Sequence, residues 1–372
     1  MTSDPPEWAY AAALASLPLQ THRRLRLLIT RGAPSDVWGK VLHHKIVAPS
    51  LEPHVLQAWS TASSCLPRQM YERCMTIEAQ VVSLHDATYP SVLRADPDAP
   101  AVLFVRGNLE ALEQRRVAII GTRKATQAGR YFAASLGRQL STLGVAVVSG
   151  LARGIDVHAH RGVERASNDG ATGKAIAVVA SGLDVVYPRE HVQLWNWVAS
   201  HGALISESPP GTSPEAFRFP LRNRILAGVS EVVVVVESTE AGGSMITVRE
   251  AEKRGVTVLA VPGSPTLHTS QGTNALLRDG CAPVTHVDDV LVALGLDTSR
   301  QHGFVDQRVP PMGLCADVLG QLVGEPRSID WLAICLGESV FAVAVALGRL
   351  EQSGWVTQTS GWWEALVAYS QS

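Results

Sequence analysis

Six short runs of consecutive apolar residues dominate the middle of the chain. They are RVAIIG at 116–121, GVAVVSG at 144–150, KAIAVVASG at 174–182, GALISE at 202–207, VSEVVVVVES at 229–238 and GVTVLAVPG at 255–263. Each is followed by a loop and then by a helix-like segment. Strands apolar on both faces that alternate with helices predict a parallel sheet covered on both sides. The region 116–297 therefore reads as a doubly wound α/β domain. In such sheets ligands sit beyond the carboxyl ends of the strands, so the informative residues are those just after each run.

The flanks carry different patterns. Before residue 78, the stretches WAYAAALASL, THRRLRLLI, DVWGKVL and VLQAWSTA space their apolar residues by three and four, which predicts a small helical domain. The arginines there (23, 24, 26 and 31) read as a solvated helix face. Residues 80–107 alternate strand-like pieces with turn signals and read as a lead-in strand and turn. After prolines 310 and 311, three helical segments and the hairpin-like WVTQTSGWW predict a winged-helix domain. That tail carries Arg327 and Arg349 against Asp317, Asp330, Glu325, Glu338, Glu351 and Glu364. A helix that enters a DNA groove needs cations facing phosphate, so a protein-contact or regulatory role is favoured there over DNA reading. The expected boundaries are 1–78, 79–298, a linker at 299–312, and 313–372.

Composition narrows the function classes. With 46% hydrophobic and 18% charged residues the chain is an ordinary globular sequence. Its formal net charge of -2 excludes a protein that coats nucleic acid through bulk positive charge, so any anion binding must be local. Five scattered cysteines without a CxxC pair fit reduced thiols better than disulfides or a zinc site. The start MTSDPPEWAY lacks a signal-peptide pattern, and no apolar run approaches the roughly 20 residues that span a bilayer. A cytoplasmic protein is expected.

The strand-end loops are rich in anion-binding groups. In GTRKATQAG, Gly121 permits a tight turn, Thr126 is placed to cap a helix, and Arg123 projects where a phosphate would rest. The loop is neither GxGxxG nor a Walker loop. In SGLARGIDVHAH, Ser149 and Gly150 allow close backbone approach and Arg153 adds a cation. Asp156, His158 and His160 suggest either a metal or helix capping with internal hydrogen bonds. On a helix only Asp156 and His160 share a face, and capping is the favoured reading. Gly243 and Ser244 open another helix with free N–H groups. Glu207 and Glu237 are available for acid/base work, but nothing in the sequence pairs them.

One stretch, FRFPLRNRILAG at 217–228, gathers Arg218, Phe219, Arg222, Asn223 and Arg224. Arginine fits phosphate bidentately and stacks on bases, and phenylalanine offers a face to an unpaired base. Together they suggest a single strand of nucleic acid. The alternative is that Arg222 and Arg224 pair with carboxylates at neighbouring strand ends while the phenylalanines are core.

From Val81 to Val290 the chain resembles the DNA-processing protein A (DprA, also called Smf) family. The matching pieces are YPSVL, RGN, VAIIGTR, VVSGLARGIDVHAH, SGLDVVYP, LISESPPGT, FRFPLRNRILAG, VVVVVES, GGSMIT, VPGS and QGTNALLRDG, in order. The resemblance implies an extended Rossmann-like fold with a small N-terminal helical (SAM-like) domain and a C-terminal winged helix. It also implies a non-enzymatic, homodimeric single-stranded DNA binder that protects incoming DNA in natural transformation and loads the RecA recombinase. No cofactor or metal is implied. Carried over by position, Arg123 and the Arg222/Asn223/Arg224 segment supply the pocket cations and their support, and Phe219 takes the base-stacking place. The family's dimer contact corresponds to residues near Asn274 to Gly280. Some relatives carry a lysine three residues before the aromatic; here that position is Ala216, and Arg218 is the available substitute.

Two other readings stay open. A nucleotide or nucleoside-phosphate hydrolase on the same scaffold would use the glycine-rich loops and Glu207 or Glu237. A nucleotide sensor would signal through the winged helix.

Overall fold

The computed structural model describes residues 4–46, 51–296, 310–323, 325–359 and 361–366. The expected linker at 299–312 lies outside them up to residue 309. The chain divides into one unit through residue 298 and a second from residue 299.

The first unit begins with helices α1 (Glu7–Ala15), α2 (His22–Ile29), α3 (Pro34–Leu42), α4 (Pro53–Ser60) and α5 (Leu66–Thr76). In α2 the sequence HRRLRLLI turns Leu25, Leu28 and Ile29 inward, while the Thr21 hydroxyl accepts the Arg24 N–H at 3.2 Å. The basic cluster is partly tied down: Arg24 pairs with Glu52 at 2.8 Å, and Arg26 donates to the Ala99 carbonyl at 3.2 Å.

Strands β1 (Gln80–Ser83) and β2 (Val102–Gly107), with the one-turn helix α6 (Ser91–Arg94) between them, lead into the sheet. The alternation then runs β3 (Arg116–Ile120), α7 (Gln127–Thr142), β4 (Ala146–Ser149), α8 (Ile155–Asn168), β5 (Ala175–Val178), α9 (Val192–His201), β6 (Ala203–Ser206), α10 (Arg218–Gly228), β7 (Val232–Val235), α11 (Ser244–Glu252), β8 (Thr257–Ala260), α12 (Gln271–Arg278), β9 (Ala282–Pro283) and α13 (Val287–Ala293). The strand order is β1-β2-β6-β5-β4-β3-β7-β8-β9. Strands β3 to β9 are parallel. The segment expected as a lead-in supplies two strands of the same sheet, β1 and β2, both antiparallel to their neighbours.

Both faces of the sheet are covered, as continuous apolar strands require. Val117, Ile119, Val147 and Val234 face α7, α8, α9 and α13, and the N-terminal helices share that core. Ala118, Ile120, Val148 and Val233 face the opposite layer with α10, α11 and α12. Each buried valine or isoleucine stabilises the unit by about 1.5–3 kcal/mol relative to exposure.

Strand β3 pairs with β4 on one side and β7 on the other. The strand order therefore reverses between β3 and β7, and a crevice opens beyond their carboxyl ends.

The second unit contains α14 (Leu314–Gln321), β10 (Arg327–Ser328), α15 (Ile329–Leu336), α16 (Val340–Gln352), β11 (Val356–Thr359) and β12 (Trp362–Ala365). Its antiparallel sheet has the order β10-β12-β11, and its core is built on Leu332, Val343, Leu347, Leu350 and Trp355. Among the described residues, no single helix is long and apolar enough to cross a membrane.

Candidate functional site

At the reversal point, the turn after β3 is held to the end of β7 by the Thr122 N–H, which donates to the Glu237 carbonyl at 2.7 Å. Thr126 caps α7, its hydroxyl accepting the Gly129 N–H at 3.0 Å. The anion place at this helix start is filled by the protein itself. The Glu237 carboxylate accepts the Thr126 N–H at 2.9 Å and the Thr126 hydroxyl at 2.5 Å, and Glu237 is only 7% exposed. A Cβ added at Gly129 would lie 2.4 Å from that carboxyl carbon, so glycine is required there. Gly121 is equally confined, its missing Cβ lying 2.5 Å from the Ile155 side chain. Glu237 is thus a helix cap and not a free acid or base. The Arg123 side chain is exposed.

The loop after β4 turns mostly inward. Ser149 is fully buried and donates to the Ile119 carbonyl at 2.7 Å. Asp156 accepts the Gly150 N–H at 3.1 Å. Burial pushes its carboxyl up to about 6, against the pull of the nearby Arg222 guanidinium. His158 Nδ1 contacts the Gly154 carbonyl at 2.7 Å, and His160 is fully buried. These three side chains serve the loop and the core, and no group of three metal-ligating residues occurs among the described residues. Arg153 is exposed and paired with Glu190 at 2.5 Å.

The stretch 217–228 is a helix from Arg218 onward, not a loop. Pro220 falls in its first turn, where a missing N–H has no helical partner to lose. Helical geometry turns successive residues by about 100°, so Arg222 and Arg224 point about 200° apart and cannot form a ladder. Arg222 is 8% exposed and donates to the carbonyls of Gly150, at 3.1 Å, and Val178. Burial lowers it to about 10, which leaves it a cation at neutral pH. Arg224 is 5% exposed, paired with Glu207 and bonded to the Asp98 carbonyl. Burial raises Glu207 and Arg224 opposes it. Both charges are engaged by carbonyls and a carboxylate of the fold, which matches the internally paired reading of the sequence, while Arg222 also lines the pocket beside Phe219. Asn223 accepts from Arg222 Nε at 3.2 Å and reaches the Gly243 carbonyl at 3.4 Å, joining α10 to the start of α11.

Arg123 remains at the rim. Its guanidinium carbon lies 4.9 Å from the centroid of the Phe219 ring, and Phe219 packs at 5.5 Å against Tyr187. These rings edge a shallow pocket with Gly150, Ala152, Ser181, Pro214 and Arg222. Glycine at 150 matters because a Cβ there would meet the Arg222 guanidinium at 2.4 Å. Arg218 stacks on exposed Phe217 at 4.9 Å and lies 3.5 Å from Glu215. Gly243 is exposed with open space around it, and the Ser244 hydroxyl donates to Ser238 at 2.7 Å. The structure thus brings Arg123, Phe219 and Tyr187 together at the accessible rim and leaves Arg218 and Gly243 accessible without a contact to Arg123. It buries Ser149, Gly150, Arg222, Asn223 and Arg224 beneath it. Tyr187 was missed by sequence reasoning, although SGLDVVYP at a strand end was the signal that marks it.

The sequence model described as DNA recombination-mediator protein A matches residues 80–295. The chain belongs to that family. It is 38% identical to DNA processing protein DprA of Bacillus subtilis, over 70% of this chain and 84% of the relative. Among solved structures it is similar to DNA processing protein A from Streptococcus pneumoniae, at 28% identity and a TM-score of 0.64, covering 78% of this chain and 98% of that one. The single-stranded DNA binding mode of DNA processing protein A from Helicobacter pylori has been described from a structure that is similar at 28% identity and a TM-score of 0.51, covering 58% of this chain and 95% of that one.

Proposed function

We propose that this recombination-mediator protein binds single-stranded DNA along the rim formed by Arg123, Phe219, Tyr187, Arg218 and the Gly243–Ser244 turn, with Arg153 at its margin. In this reading Gly121, Ser149, Gly150, Arg222, Asn223 and Arg224 shape and brace the rim. The observation that carries it is the exposed Arg123 guanidinium lying over the Phe219 ring, a cation and an aromatic group in one stack where a phosphate and an unpaired base alternate. The single-stranded DNA binding described for the Helicobacter pylori relative supports the same class of ligand.

Further parts of the reading follow the family. The protein acts in the cytoplasm as a homodimer through the 274–280 region, without catalysis or cofactor. It protects incoming DNA during natural transformation and loads RecA. Residues 1–78 form its SAM-like helical domain and residues 313–372 its winged helix. The acidic balance of that tail supports a protein-contact role. Against a nucleotide hydrolase stand the buried pairing of Glu207 with Arg224 and the capping of Thr126 by both oxygens of Glu237.

A titration of labelled single- and double-stranded oligonucleotides tests the reading. Preference for the single strand is expected. Equal binding of both forms, or release of free base from nucleoside monophosphates, overturns it.

A further inference from the structure

A groove of about 580 Å³ lies beside the rim, lined by Gln69, Glu72, Arg73, Thr76, Asp184 and Gly211. Four of these residues (69, 72, 73 and 76) recur at the i, i+3, i+4, i+7 spacing, so α5 presents one polar stripe to the groove. The opposite wall comes from the two loops that also line the pocket beside Phe219. The loop after β5 gives Asp184 to the groove and Tyr187 to the pocket. The loop after β6 gives Gly211 to the groove and Pro214 to the pocket. Three Cα steps separate Gly211 from Pro214, a span of at most about 11 Å.

The charges in the groove are unequally engaged. Asp184 accepts the Gly211 N–H at 2.8 Å, and Glu72 pairs with Arg68 at 3.5 Å. Arg73 is exposed, and its Nη1 reaches to 3.3 Å from where a Gly211 Cβ would stand. With φ at +86°, Gly211 holds the backbone in the left-handed region, with only that guanidinium end near its open side. The groove therefore offers the Arg73 cation, two amide or hydroxyl side chains (Gln69 and Thr76) and exposed backbone, with the carboxylates of Glu72 and Asp184 turned to Arg68 and the Gly211 N–H.

We propose that the strand held at Arg123 and Phe219 continues over the 211–214 turn into this groove, where Arg73 takes a phosphate of the same polynucleotide. The helical segment of the chain then forms part of the DNA track. This inference rests on the single-stranded DNA reading above.

Full-length Arg73→Ala and Arg73→Glu are tested against oligothymidylates of about 6 and about 18 nucleotides, with Arg123→Ala in parallel. Alanine and glutamate at the exposed Arg73 position of α5 both retain helix propensity, and Arg123 is an exposed turn residue, so all three variants are expected to fold. Arg73→Ala is expected to weaken the long oligonucleotide roughly three- to tenfold, to lower its salt slope by about one, and to leave the short one unchanged. Arg73→Glu is expected to weaken it further, and Arg123→Ala to weaken both lengths. If Arg73→Ala binds the long strand like wild type while Arg123→Ala is impaired, the groove assignment falls and the rim stands. An equal loss at both lengths overturns the extension as well. Failure of wild type to bind either length removes both.

Discussion

Arg123 lies over Phe219, 4.9 Å from ring centroid to guanidinium carbon, and the two come from different strand ends. Arg123 follows β3, while Phe219 sits in the first turn of α10. The doubly wound sheet brings them together because the segments after β3 and after β6 emerge on the same carboxyl edge, with α7 and α10 on opposite faces of the sheet. A stacked guanidinium keeps its edge free for phosphate while its face rests on the ring. The pair is thus pre-organised for a ligand that carries both features.

Arg123→Ala should lower single-strand affinity by about 1–3 kcal/mol and flatten the dependence on salt by about one phosphate. Its exposure places no burden on the fold, so the unfolding midpoint should stay near wild type. Fluorescence anisotropy across a salt series, with thermal unfolding alongside, checks both. Unchanged affinity would exclude Arg123 from the interface.

Phe219→Ala should lower affinity by about 1–3 kcal/mol through loss of one stacking position, with little change in salt slope. This contrast separates it from Arg123 in the same assay. A loss that vanishes at high salt would mean that the ring acts only by orienting the arginine.

Arg224→Ala should act on stability instead. Glu207 would be left buried without its partner, and breaking a pair of this kind costs about 3–5 kcal/mol. Denaturant unfolding measures the loss. A stable variant with weakened DNA binding would return Arg224 to the ligand side.

Glu237→Ala should destabilise the protein by about 1–3 kcal/mol, since the Thr126 N–H and hydroxyl at the start of α7 lose their acceptor. Denaturant unfolding reads this directly. A neutral result would show that water satisfies the helix start unaided.

The fully buried His160 gives a pH dependence with a defined sign. Burial lowers its pKa to about 4 from an ordinary 6.5. In the window between these values the unfolded chain binds a proton that the folded chain does not, so this contribution to stability is lost as pH falls from 6.5 towards 4. Between pH 7 and 5 the loss from this group is about 2 kcal/mol. Asp156, held up at about 6, shifts stability the opposite way over part of that window. The comparison is therefore made against His160→Leu, measured at both pH values. A constant difference between wild type and variant would show that His160 does not titrate as a buried neutral ring.

Much of this architecture was legible in the chain. The valine-rich runs could only be strands buried on both faces, and Thr126 read as a cap because a hydroxyl before an apolar-periodic segment satisfies free amides. Strands β1 and β2 were harder. Nothing local in VVSLHD or VLFVRG says that they extend the sheet rather than precede it, because pairing with β6 is a contact between distant residues.

The sequence by itself determined the parallel sheet, the edge on which the loops gather, and the kinds of side chain placed there. Those follow from hydrophobic periodicity and strand-end placement, which are local. Only the tertiary structure decided which charges remain for a ligand. FRFPLRNRILAG reads as a strip of cations, but as a helix it aims Arg222 and Arg224 to opposite sides, where strand-end carbonyls and Glu207 claim them. Burial makes such partners obligatory, because an unpaired charge inside the protein costs several kcal/mol. Arg123, projecting from a turn at the rim, is left uncovered.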